Sequence, residues 1–123
     1  MRNQYGLANP FAVTQFSLHV TNPGVGATPA VDSEVTGAPY ARQNSNFGAP
    51  TNVAGVATAV TTDDIPVPLP LDGTFNTPFI GLWDGTTYAG YLDADPVGVF
   101  SGTATARSYT IEAGTTIESE NTP

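Results

Sequence analysis

Few residues in this chain could do chemistry: one histidine, His19; two pairs of neighbouring carboxylates; and a group of aromatic side chains around the single tryptophan, Trp83. His19 lies on the polar side of an alternating stretch, Gln15-Phe16-Ser17-Leu18-His19. A general base needs an acid or nucleophile within hydrogen-bond reach, and the sequence singles out no such partner. A hydrogen-bonding surface or interface histidine is the reading that follows. Asp63-Asp64, or Asp93 with Asp95, could in principle serve glycoside hydrolysis or hold calcium. Adjacent acids on an extended chain point in different directions, however, and Asp93-Ala94-Asp95 lacks the further oxygen ligands and the glycine of an EF-hand loop. Solvated turn carboxylates are expected. No Gly-x-Gly-x-x-Gly opens a helix and no Gly-x-Ser-x-Gly occurs. No catalytic, cofactor-binding or metal-ligating residue is assigned, and neither enzyme activity nor a metal requirement for folding is expected.

Trp83, Tyr88 and Tyr91 fall within one hairpin, and their rings could stack on a sugar. Large aromatics are also what a core otherwise made of Ala, Val and Thr needs. The core or subunit-interface reading makes Trp83 buried, and Trp83→Ala then costs about 3–5 kcal/mol.

The elements that place these residues are strands. In Phe79-Ile80-Gly81-Leu82-Trp83-Asp84-Gly85-Thr86-Thr87-Tyr88 two apolar runs flank Asp84-Gly85, the signature of a type I′ hairpin turn. Phe79, Gly81 and Trp83 share one face and Ile80 and Leu82 the other, so both faces are covered. Residues 14–20 alternate as a half-buried strand, with Phe16, Leu18 and Val20 inward, ending at Thr21-Asn22-Pro23-Gly24. Residues 25–39 read as a long loop with a short strand or helical turn around Asp32 to Val35. Strands are expected at Tyr40–Phe47 and Val53–Thr61. In Asp63 to Leu71 the alternate prolines exclude a central strand. They favour an extended edge whose Ile65, Val67, Leu69 and Leu71 dock on a core, ahead of a polyproline ligand. Tyr88–Leu92, a turn at Asp93-Ala94-Asp95-Pro96, and Val97–Phe100 follow. A strand over Thr103–Glu112 and a final hairpin arm, Thr115–Glu118, complete an all-β, antiparallel, jelly-roll-like β-sandwich. The divisions are an N-terminal arm (1–13), one β-sandwich domain (14–118) and a polar tail (119–123).

With 123 residues the chain can bury one core. Its net charge is −8, its only cations are Arg2, Arg42 and Arg107, and it has no lysine. Such a chain repels phosphate backbones and anionic lipid, so neither nucleic acid nor a membrane is an expected partner. Arg42 is scarce enough to be informative: pairing with Glu34, or with a neighbouring subunit, would pin the fold. Cysteine is absent. There is no 20-residue apolar run, and no signal-peptide h-region follows Met1. Synthesis in a cytoplasm, and solubility there until assembly, are expected.

Several short motifs occur in a distinctive order. They are Phe16-Ser17-Leu18-His19-Val20 ending at Pro23-Gly24; Ser33-Glu34-Val35-Thr36-Gly37; Tyr40-Ala41-Arg42-Gln43; Phe47-Gly48-Ala49-Pro50; and Ile80-Gly81-Leu82-Trp83-Asp84 with Gly90-Tyr91-Leu92. That order, over about Phe16 to Gly114, resembles a family of small minor tail or tail-fibre-like virion proteins of tailed bacteriophages. The chain differs from the family pattern at Pro78-Phe79-Ile80, in its short acidic C-terminal arm and in its N-terminal segment. The resemblance implies a structural building block on the tail or capsid exterior, with no enzyme activity and no cofactor. Its partners would be like subunits and other virion proteins. The expected assembly is a homotrimer, with Ile65, Val67, Leu69 and Leu71 near a subunit contact and the small-residue Val53–Val60 strand suited to close approach. The other function class is a carbohydrate-binding module that meets a host surface glycan through Trp83, Tyr88 and Tyr91. The two differ in whether Trp83 is buried or faces solvent.

Overall fold

The apolar runs around Asp84-Gly85 form the spine of the molecule. The computed structural model describes residues 4–5, 13–24, 33–53, 56–103 and 106–118, with the side chains of 4–5, 52–53, 56–57, 95–96 and 118 left aside. In it β7 (Phe75–Asp84) and β8 (Thr87–Phe100) form a long antiparallel hairpin. Asp84 pairs with Thr87. The loop is therefore Gly85-Thr86, one residue beyond the expected Asp84-Gly85. Gly85 has φ 59°, the positive value that a primed turn requires at its first loop position.

β8 also runs straight through the expected turn at Asp93-Ala94-Asp95-Pro96. Thr77 faces Gly98 while Phe79 faces Asp93, so β8 has extra residues opposite Pro78. Neither Pro78 nor Pro96 has an N–H to donate, and the ladder opens into a bulge rather than a turn.

β2 (Gln15–His19) pairs antiparallel with β7, and β3 (Gln43–Asn44), all that becomes strand of Tyr40–Phe47, pairs with β2. On the other side β1 (Gln4–Tyr5) pairs with Leu92 and Tyr91. The order is β1-β8-β7-β2-β3. Part of the segment read as an N-terminal arm is thus an edge strand, and Val13 is buried in the core. The rest of that arm, residues 25–32 of the long loop, and the tail lie outside the described residues.

A second sheet has the order β10-β5-β4, from β4 (Thr51–Val53), β5 (Val56–Val60) and β10 (Thr116–Glu118). The expected single strand from Val53 to Thr61 is a hairpin in which Val53 faces Val56. β10 does not fold back as a hairpin arm on the strand before it. Thr61 N–H donates to Thr115 O and Gly114 N–H to Thr61 O, both at 2.9 Å, and these bonds carry the chain across to β5.

β6 (Ile65–Pro68) pairs antiparallel with β9 (Ser108–Ile111) despite its prolines. Leu69 N–H donates to Arg107 O, continuing the same register, so the odd-numbered residues send their N–H groups to β9. Pro66 and Pro68, which have none to send, meet the opposite edge, which no strand pairs among the described residues.

The inward face of the five-stranded sheet supplies Phe16, Leu18, Ile80, Leu82 and Leu92 to the core. The smaller sheets and the segments beside them supply Ala59, Ile117, Ile65, Val67, Leu69, Tyr109 and Ile111. The protein is an all-β antiparallel sandwich with its sheets packed face to face. Each large aliphatic side chain buried there contributes about 1.5–3 kcal/mol. Ile65, Val67 and Leu69 are buried in this core, whereas Leu71 is 39% exposed. The stripe docks as expected for three of its four residues. Those same three are therefore not available to a like subunit, which corrects their placement at a subunit contact.

Candidate functional site

The polar residues of the motifs converge on the opposite, outward face of the large sheet. On β2, Ser17 and His19 are two residues apart and share that face; on β7, Gly81 and Trp83 pair with Ser17 and Gln15. Ser17, His19 and Ser33 are fully buried. Trp83 Nε1–H, which can only donate, donates to Ser17 Oγ at 2.8 Å. Ser17, accepting from the indole, has its own proton free to give to His19 Nε2, 2.6 Å away. In that arrangement the imidazole carries its proton on Nδ1 and donates to Ser33 Oγ at 2.7 Å. Burial, opposed by the Glu34 carboxylate and helped by the Arg42 guanidinium, pushes the imidazole from 6.5 down to about 4. His19 is neutral near pH 7, which this one-way chain of bonds requires.

The serine–histidine contact has the reach of a nucleophile and its base, but all three side chains are sealed from solvent and no substrate atom can approach. What the arrangement does is tie β2, β7 and the Ser33 segment together. His19 is therefore not the surface or interface histidine expected. The missed partners differ in legibility: Ser17-x-His19 on one face of a strand was readable, while Ser33 comes from a distant connection that no local pattern links to His19. The same pair explains Gly81, where a Cβ would collide with Ser17 Oγ and lie 2.5 Å from His19 Nε2.

Next to this chain, Arg42 makes a bidentate pair with Glu34, Nη2 to Oε1 at 2.8 Å and Nε to Oε2 at 3.0 Å. Tyr40 Oη–H donates to Glu34 Oε2 at 2.6 Å and accepts from Leu18 N–H at 3.1 Å. The expected Glu34–Arg42 pair is thus present within the chain. Burial acts to raise the Glu34 carboxyl, but the bonds from Arg42 and Tyr40 outweigh it and hold it below its ordinary value. The Tyr40 phenol is pushed up by burial and by its bond to Glu34. The bond to Glu34 holds the Arg42 guanidinium above its usual value. The guanidinium also lies over the Trp83 ring, 3.6 Å from its centroid, a cation–π contact.

The aromatic residues read as a sugar platform are not one. Trp83, Tyr88 and Tyr91 are 6%, 5% and 6% exposed. Trp83 has Arg42 on its ring and Tyr88 edge-on at 5.3 Å; Tyr91 meets Phe79 edge-on at 5.5 Å. Tyr88 Oη–H donates to Gly24 O at 2.6 Å, and Asn22 Nδ2–H donates to Tyr91 Oη at 2.9 Å. Burial, with the nearby Tyr91 adding to it, pushes the Tyr88 phenol up. These rings are floor and wall of the clasp, with no face left for a sugar.

Of the acidic candidates, Asp64 Oδ1 accepts from Ala113 N–H at 2.8 Å and Asp63 stands exposed beside Thr62. Asp93 is half-buried on β8, and the Asp95 side chain is outside the described residues. Among the described residues no three or more potential metal ligands cluster. Arg107 anchors the turn after β6, donating from Nε to Pro70 O at 2.9 Å and from Nη2 to Gly73 O at 3.1 Å, with Phe75 under its guanidinium at 5.0 Å. No family model, curated protein or solved structure matches this chain.

Proposed function

We propose that this protein is a structural component of a tailed-bacteriophage virion, a minor tail or tail-fibre-like protein or a capsid decoration, that assembles with like subunits and other virion proteins. One observation carries the reading: the motif residues behind the resemblance are spent on one another. Leu18, His19, Glu34, Tyr40, Arg42, Gly81 and Trp83 form a single internal clasp. A motif whose members are consumed inside the fold suits a building block, since it preserves a shape rather than presenting a reactive group. The glycan-binding alternative loses its support with the burial of Trp83, Tyr88 and Tyr91.

The test is made on particles. Phage from a lysate of the strain that carries the gene are purified on a density gradient and probed with an antibody to this chain, followed by gold-labelled electron microscopy. The protein is expected in the particle band, with label at the tail or on the capsid. Its presence only in the soluble fraction, with intact particles free of it, overturns the proposal.

A further inference from the structure

We propose that the Ser17–His19–Ser33 bridge is an acid-sensitive latch, which holds the Ser33–Val35 segment and Trp83 to the outer face of the sheet while His19 is neutral and loosens them when it takes a proton. The argument is one of hydrogen-bond direction. Trp83 Nε1 and a protonated His19 Nε2 are both donors, and both face Ser17 Oγ, at 2.8 Å and 2.6 Å. In the neutral state Ser17 accepts from the indole and donates to the imidazole. Once Nε2 has a proton, Ser17 must accept twice, and its own proton can no longer go to the imidazole. The site is fully buried, so water cannot relieve the conflict.

Two charged groups face the imidazole from the segments packed on it. Glu34, bridged to His19 through the backbone, favours the cation; Arg42, held on Trp83, opposes it. Phe79, Gly81 and Trp83 on β7 bring no charge of their own, and Tyr40 is held as a neutral phenol by its bond to Glu34. The balance is set by burial, and it places the transition near pH 4, below where an exposed histidine titrates. Ser33 is the far end of the bridge. Its segment is joined to β2 by Val20 N–H to Ser33 O at 2.7 Å and Val35 N–H to Leu18 O at 2.9 Å, which flank the latch on either side.

The chain's one histidine and one tryptophan report on the two ends without ambiguity. The ring nitrogens of His19 and the indole N–H of Trp83 are followed by NMR from pH 8 to pH 3 on the intact protein, with backbone amides of Leu82 and Leu92 as core controls. The expected result is an Nδ1–H tautomer at pH 7 and a histidine midpoint near 4. The indole signal should shift with that same midpoint, before the core amides change. The Ser17→Ala variant should keep the histidine titration and uncouple the indole from it. His19→Gln, where it folds, should remove the indole shift altogether. A histidine midpoint near 6.5, an indole indifferent to His19, or an indole shift that persists in Ser17→Ala overturns the proposal. So does loss of the core amides in the same step, which would make the event global unfolding.

Discussion

One methyl group at residue 81 tests the weight of the buried clasp. A Cβ there collides with Ser17 Oγ and crowds His19 Nε2, both held in place by Trp83 and Ser33. Gly81→Ala is expected to lower stability by about 2–4 kcal/mol, combining overpacking with broken buried bonds. A denaturant midpoint that falls with an unchanged slope would show it. Glu34→Gln tests the neighbouring pair. The carboxyl's folded pKa lies below its ordinary 4.5. As pH falls the unfolded chain takes this proton first, so the pair's contribution is full above pH 4.5 and is lost as pH drops through the folded value. The variant should cost about 1–2 kcal/mol at pH 7 and match the wild type more closely at pH 3, a modest size because both partners are partly solvated. Melting curves at the two pH values check it. The Glu34–Arg42 pair was legible because cations are so few; the Ser33–His19 contact was not, because a loop, and no periodicity, brings them together.

Pro66 and Pro68 show what strand-level reading can and cannot see. Their alternation with Ile65, Val67 and Leu69 was visible, and so was the inward aliphatic face. The pairing with β9 was not, since it depends on which edge the missing donors meet. Because the odd-numbered N–H groups serve β9, the prolines remove donors only from the opposite edge, unpaired among the described residues, where an open ladder invites another chain. Pro66→Val with Pro68→Val should keep the core and restore two outward N–H groups. The double variant is expected to fold and to aggregate faster than the wild type on gentle heating, as read by light scattering; equal rates would count against edge protection. The missed β8 bulge and the β4–β5 hairpin have the same origin. Alternation reports which face a residue takes, and says nothing of where a ladder slips or a chain reverses.

For the molecule as a whole, an antiparallel sandwich could be read from the hairpin and the alternating strands, but the location of a subunit contact could not. Of the residues expected near a trimer contact, Ile65, Val67 and Leu69 already fill the core and only Leu71 is exposed. Among the described residues the large apolar side chains left exposed are Val60, Leu71, Val97 and, most of all, Val99 at 72%. Val97 and Val99 flank Gly98, which is packed inward against Thr77 and Tyr109, so both valines sit on the outer face of β8. Among the described residues β1 pairs with β8 only at Tyr91 and Leu92, and residues 97–103 have no charged side chain. Copies with a net charge of −8 repel each other least where they meet on an uncharged patch. Self-association is therefore expected through this end of β8, and Val97→Asp with Val99→Asp should abolish it while leaving the fold intact, since neither side chain belongs to the core. Light scattering coupled to size exclusion, run over a wide concentration range, decides the matter. A wild type that stays monomeric throughout, or a double variant that assembles as well as the wild type, removes like-subunit contact from β8.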